Sequence, residues 1–208
     1  RGSYDSYLDN GTHGEGNTHY VGGGLFLKEE QKSGVFYEGS LRFGRSSMDY
    51  STPLTSYDTD ANYIGAHLGL GHTATAANGT ERELYLRYFY THQNGASATL
   101  STNDRYDFHA VDSHRVRTGA RWTIPQKGGS LIVGASMQYE FGGETSAAVH
   151  VGGLSYTTPA PTLKGFSGSL ELGWKTNLSE NCTADLSVEG WLGKQRGVSA
   201  RAGFVWQF

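Results

Sequence analysis

The sequence predicts an all-β protein: an antiparallel up-and-down β-barrel that crosses a membrane. Three observations carry that prediction. The first is the close of the chain. Ala200, Ala202, Phe204, Trp206 and Phe208 fall on one face, and Ser199, Arg201, Gly203, Val205 and Gln207 on the other, which is the period of two of a strand. A bare aromatic edge strand invites aggregation in water, whereas a strand that closes a barrel in lipid is protected. The second is composition. Only 37% of the residues are hydrophobic, yet there are 13 Tyr, 9 Phe, 4 Trp and 30 Gly. Few aliphatics with many aromatics and glycines suit strands with a thin apolar face and aromatic girdles. The third is the spacing of the alternating stretches, whose connections swing between short and long.

At 208 residues the chain reads as one domain, 1–208. Mean hydropathy is −0.49, and no run approaches the roughly 18 apolar residues of a membrane helix. The net charge of −3 comes without a basic cluster, so nucleic acid is not an expected partner. Cys182 is the single cysteine and has no internal disulfide partner. The chain starts at Arg1 without an export signal; an envelope protein needs one, so a longer precursor is expected.

The strands follow in order. In 19–28, Val21, Leu25 and Leu27 take the lipid side, which turns Tyr20 and Phe26 inward. In 35–44, Val35, Tyr37, Leu41 and Phe43 oppose Glu38, Ser40 and Arg42. In 62–71, Ile64, Ala66, Leu68 and Leu70 oppose Tyr63, His67 and Gly69; in 83–92, Leu84, Leu86, Tyr88 and Tyr90 oppose Glu83, Arg87 and Thr91. In 114–124, Val116, Ala120, Trp122 and Ile124 oppose Arg115, Arg117, Gly119 and Arg121. In 130–141, Leu131, Val133, Ala135, Met137, Tyr139 and Phe141 oppose Gly134, Ser136, Gln138 and Glu140. In 166–176, Phe166, Leu170, Leu172 and Trp174 oppose Ser167, Ser169, Glu171 and Lys175. In 183–193, Ala184, Leu186, Val188 and Leu192 oppose Asp185, Ser187 and Glu189. With the closing strand this makes about nine, each near the ten residues of a tilted crossing.

A soluble sandwich also alternates, but has no reason to alternate its loop lengths. Here 29–33, 125–129 and 177–182 are short and 73–81 is medium, all expected on the periplasmic side. The segments 1–17, 46–60, 93–112 and 143–163 are long and expected outside, with 194–197 a short external turn. The C-terminus is then periplasmic. Pro125 with Gly128 and Gly129, Asn78 with Gly79, and Gly193 with Gly197 mark turns. Pro53, Pro159 and Pro161 fall in the external segments, where no ladder bond is lost.

Several stretches resemble one family, the C-terminal translocator β-barrel domain of bacterial autotransporters (type V secretion). They are Gly34 through Arg45, Tyr57 through Asp60 with Gly65, Gly69 and Gly71, His114 through Arg121, and Tyr139 through Gly143. Arg201, Gly203, Trp206 and Phe208 match the terminal signature shared by many outer-membrane proteins. The resemblance implies a twelve-stranded barrel whose first strands and pore-plugging helix lie upstream of Arg1. It also implies an outer-membrane location, a role in anchoring and exporting an N-terminal passenger, and no catalytic function. Implied partners are outer-membrane lipid, the chain's own passenger and linker helix, and the barrel-assembly machinery, which would seat the terminal aromatics by strand addition.

The residues expected in the lumen are Glu38, Arg42, Arg87, Arg115, Arg117, Arg121, Glu140, Glu171, Lys175, Asp185 and Glu189. Charges belong there because each costs about 2–4 kcal/mol on the lipid face at the midplane. Their mixed signs can pair with one another or hold a polypeptide, and they do not form a selective ring. No cofactor or metal is expected: the 8 histidines lack ligand spacing, and Gly22 to Gly24 is not followed by the Lys-Ser/Thr of a phosphate loop. Asp58 with Asp60, and Asp104 with Asp107, could serve an external active site but read as turn formers. The rival functions are a porin-like channel, tested by conductance, and an outer-membrane enzyme, tested by protease or lipase assay.

Overall fold

The computed structural model describes residues 2–7, 12–158 and 162–206. Phe208, Pro159 and Pro161 lie outside the described residues. Ten strands form one antiparallel sheet. They are β1 (Gly2–Tyr7), β2 (His13–Glu30), β3 (Val35–Ser51), β4 (Ser56–Thr75), β5 (Glu81–Gln93), β8 (Val111–Gln126), β9 (Gly129–Glu140), β12 (Gly165–Ser179), β13 (Cys182–Gly193) and β14 (Gly197–Trp206). Their spatial order follows the chain, β1-β2-β3-β4-β5-β8-β9-β12-β13-β14. This is the expected up-and-down meander of nine long strands, with the short β1 added. Among the described residues, the edges of the sheet are β14 on one side and β1 with the rest of β2 on the other.

Short turns join the strands at the expected periplasmic end. Asn78 accepts from the Thr80 N–H at 3.0 Å, and the Gly79 N–H donates to the Ala76 carbonyl at 2.9 Å. Lys127 and Gly128 close the two-residue hairpin between Gln126 and Gly129. Gly128 has φ +86, a left-handed value that a side chain would disfavour.

The other end corrects the expected loops. Residues 46–60 continue the β3–β4 ladder from Ser46↔Ala61 to Ser51↔Ser56, leaving only 52–55 as a turn. At about 3.4 Å per residue, the 20 residues of β4 far exceed the roughly ten of a crossing. Segment 1–17 supplies β1, which pairs with His13 through Thr18. Segments 93–112 and 143–163 contain β6 (Ala96–Thr99), β7 (Arg105–Phe108), β10 (Ala147–Val151) and β11 (Leu154–Thr158). These four form a second antiparallel sheet in the order β11-β10-β7-β6, so the two long connections pair with each other. The physical reason is local alternation: Ala98, Tyr106, Val149 and Tyr156 stand in one row across the four strands. Gly152 and Gly153, both at positive φ, turn the β10–β11 hairpin. Ala98 and Val149 are buried, and Tyr57 of β4 stacks on Tyr106 at 6.2 Å.

The large sheet has two unlike faces. One carries Leu25, Leu41, Leu68, Leu170 and Leu192, all 61–77% exposed, along with Phe43, Phe166 and Trp206. The other carries charged and hydroxyl groups in hydrogen-bonded contact. A protein surrounded by water would reverse these roles.

Candidate functional site

The polar face is curled inward. Arg117 of β8 reaches Glu189 of β13, three positions away in the sheet. At about 4.8 Å between strands, their backbones would stand roughly 14 Å apart in a flat sheet. Side chains that meet across that span lean over a concave surface.

Small residues open the paths for these contacts. Glu38, Gly69 and Arg87 form one row across β3, β4 and β5. Glu38 accepts from Arg87 Nε, and His67 Nε2 lies 3.1 Å from the same carboxylate oxygen. A Cβ on Gly69 would come within 2.7 Å of Glu38 Cγ, so glycine here gives the pair its room. Arg87 also holds Glu83 at 3.2 Å and lies 3.9 Å over the Tyr85 ring. On the other wall, Arg117 donates to Ser136 at 2.9 Å and to Glu189, which accepts from Ser169 at 2.6 Å. The Arg117 guanidinium lies over Trp191 at 4.6 Å. Arg121 crosses Gly134 to Glu171 with two contacts, 3.0 and 3.3 Å. Arg115 stands 3.5 Å from Glu140.

Nine of the eleven residues expected in the lumen therefore meet charges of opposite sign. Eight do so among themselves, and Asp185 pairs with Arg201 at 3.4 Å. Among the described residues, Arg42 and Lys175 do not. Arg42 donates to the Thr91 hydroxyl at 2.9 Å, and Lys175, though in register with Asp185, makes no ion pair among the described residues.

Sequence reasoning named the charges on this face, with His67 and Phe26 beside them, and missed Phe89, Tyr85 and Trp191. His67 stacks between Phe26 and Phe89, at 6.4 and 4.9 Å. Tyr85 and Trp191 are buried beneath arginines. The signal for Tyr85 and Trp191 was available in the alternation itself, since both fall on the polar side of their strands. Tyr20 and Phe26 do face inward as the alternation required: Tyr20 meets Tyr63 edge-to-face at 6.4 Å.

Of the terminal signature, Arg201, Gly203 and Trp206 lie on β14. Gly203 stands opposite Asp185, and a Cβ there would come within 2.5 Å of its carboxylate. The glycine leaves Asp185 room to turn toward Arg201. Phe208 lies outside the described residues.

The second sheet holds a further polar cluster on its open face. His150 Nδ1 lies 2.7 Å from Ser155 Oγ, and Nε2 lies 3.2 Å from Asp107. Asp107 also accepts from Ser97 at 2.5 Å and from Arg105 at 2.8 Å. The Ser97 hydroxyl and then the Arg105 guanidinium hold its carboxyl below the usual carboxylate range. A serine, a histidine and an aspartate thus stand in sequence across β11, β10 and β7. Among the described residues, no group of three or more His, Cys, Asp or Glu is placed to hold a metal.

The family model described as "Autotransporter beta-domain" matches residues 1–189. Among solved structures, the translocator domain of autotransporter NalP from Neisseria meningitidis is similar, with a TM-score of 0.62 at 16% identity. That alignment covers 96% of this chain and 70% of the other. The transport unit of the autotransporter AIDA-I from Escherichia coli aligns with a TM-score of 0.50 at 10% identity, covering 99% of this chain and 87% of the other. At these identities the likeness is one of fold. No curated protein sequence matches.

Proposed function

The chain belongs to the autotransporter beta-domain family, and from that membership we propose how its geometry serves translocation. It is an outer-membrane translocator domain for a passenger domain. The concave polar face is the wall of the lumen, and the convex apolar face meets lipid. The observation that carries this reading is the reversed polarity of the sheet: leucines stand more than half exposed on one face while a nearly neutral network of ion pairs crosses the other. Lipid covers the first, and a wet interior suits the second.

In this reading β14 runs toward the periplasm and ends there, and the second sheet stands outside the cell. The assembly machinery would take hold of β14 at its free edge, with Arg201, Gly203, Trp206 and Phe208 as its signal. The passenger and its linker helix would precede the described strands and pass the polar wall. A porin-like channel is less well supported, because carboxylates neutralise most of the arginines that would make the lumen selective.

The test uses the full-length polypeptide that carries this chain, with an epitope inserted directly before Arg1. In intact cells whose barrel is folded in the outer membrane, the epitope becomes accessible to added protease. A folded barrel whose epitope stays protected in intact cells would overturn the translocator reading.

A further inference from the structure

The turn between β13 and β14 gathers cations on the convex face. Gln195 points into the lumen, where its N–H donates to the Ser167 hydroxyl at 2.8 Å and its side chain accepts from Gln138 at 2.9 Å. Alternation turns its neighbours Lys194 and Arg196 the other way, and both are exposed. The stem of Lys194 runs along Gly165, where a Cβ would come within 3.0 Å of its Cγ. That sets it beside Lys164, which is also exposed. Arg196 Nε donates to the Gly193 carbonyl at 3.0 Å, which holds the guanidinium at the turn. Arginines of the lumen hold carboxylates at Glu38, Glu171 and Glu189. Among the described residues, none of these three cations has one.

Strand length sets the depth of the cluster. β13 has 12 residues; at about 3.4 Å per residue and a tilt of about 45° it rises about 29 Å, against a hydrocarbon layer of about 30 Å. The turn therefore stands at the level of lipid headgroups, whereas the 20 residues of β4 carry the β3–β4 turn well beyond it. The apolar face runs up to the cations. Leu192 and Val198, two residues from Lys194 and Arg196, are 75% and 77% exposed, and Phe166 is exposed between them and Lys164. Basic groups at headgroup depth, above bare apolar side chains, match an amphiphile with an anionic head. A phosphate has acceptor oxygens enough for several charged donors, and a free anion would leave the apolar side chains unused. We propose that Lys164, Lys194 and Arg196 bind the phosphate of a lipid in the outer leaflet, whose acyl chains lie on Phe166 and Leu192. This rests on the reading that the convex face meets lipid, and it assigns one place on that face a lipid of chosen chemistry.

The test uses the full-length protein, folded in detergent, with lipid A (a phosphorylated, acylated glucosamine disaccharide) as the probe and its dephosphorylated form as the comparison. Native mass spectrometry reads the lipid that stays bound. Lipid A should be retained and the dephosphorylated form lost. Lys194→Gln should weaken retention about fivefold, the scale of about 1 kcal/mol for one basic side chain at a lipid surface. Lys164→Gln with Lys194→Gln should weaken it about twentyfold. Arg196→Lys should keep most of it, and Lys127→Gln, at the opposite end of the barrel, should change nothing. Heat-modifiable gel mobility confirms that each variant is folded. Unchanged retention in the double variant overturns the proposal, as does equal retention of the dephosphorylated lipid. If inorganic phosphate is bound through Lys194 and lipid A is not, the site serves the free anion and the proposal falls. An equal loss in Lys127→Gln means that any surface cation attracts the lipid, and the proposal falls again. Lipid A held through Lys194, with the epitope before Arg1 protected in intact cells, supports the site and removes only the translocator reading. Display of that epitope with no lipid A retained overturns the inference and leaves the translocator reading standing.

Discussion

Glu38 and Asp107 are each the hub of a cluster that joins an arginine and a histidine, one in the barrel wall and one in the second, smaller sheet. Glu38 holds Arg87 and His67 on the concave face; Asp107 holds Arg105 and His150 on the open face of the small sheet. The side chain of Glu38 is 5% exposed, and that of Asp107 is 32% exposed. Arg87 reaches its hub from two strands away over Gly69, whereas Arg105 sits on the same strand as Asp107, two residues off. The chemistry is alike and the physical weight is not. A shielded pair that ties strands together resists the loss of either member. An exposed pair competes with water and salt.

The largest effect should come from splitting the shielded pair. Glu38→Gln leaves Arg87 in the wall with Glu83 as its remaining carboxylate, and a buried charge stripped of its main partner costs on the order of 3 kcal/mol. Thermal loss of heat-modifiable mobility in detergent should shift clearly downward. The double variant Glu38→Gln with Arg87→Met should recover part of that loss, because the stranded guanidinium is gone and Glu83 keeps Lys28 at 3.8 Å. An unshifted transition in the single variant would mean that the pair is solvated and carries no weight.

A second change tests the polarity of the faces within one strand. Leu170 and Ser169 are adjacent on β12 and point to opposite sides. Leu170→Arg should destabilise insertion by about 2–4 kcal/mol at mid-membrane depth. Ser169→Arg meets Glu189, the acceptor of its own hydroxyl, and should cost less despite its burial. Comparing folded fractions of the two variants in lipid vesicles decides the matter. Equal losses would remove the reason for placing lipid on the leucine face.

Alternation made much of this legible from the chain alone. The sides taken by Arg117, Arg121, Glu171 and Glu189 follow from a period of two and their apolar neighbours. Which of them meet does not follow, because Arg117 finds Glu189 across three strands and Arg121 finds Glu171 across two. Such choices depend on register and on the small residues between, Ser136 and Ser169 in one case and Gly134 in the other. The smaller sheet was hidden for another reason. Its strands are four or five residues long, shorter than a crossing, and a search for membrane-length alternation reads them as loop. That Arg42 meets a hydroxyl, and among the described residues no carboxylate, was hidden as well, since such an arginine looks the same in sequence as one in an ion pair.

The smallest effect belongs to the exposed hub. The folded-state pKa of Asp107 is depressed by Ser97 and Arg105. Its contribution is therefore present above the ordinary aspartate value of about 3.9 and is lost as pH falls through the lower folded value. Acidification through that window should raise hydrogen exchange in β7 and β10 while leaving β12 and β13 protected. Asp107→Asn should remove the acid dependence and change the global transition very little, as befits an exposed pair. If Asp107→Asn lowered the global transition as far as Glu38→Gln, the smaller sheet would be a structural keystone of the wall, and the contrast between the two clusters would fail.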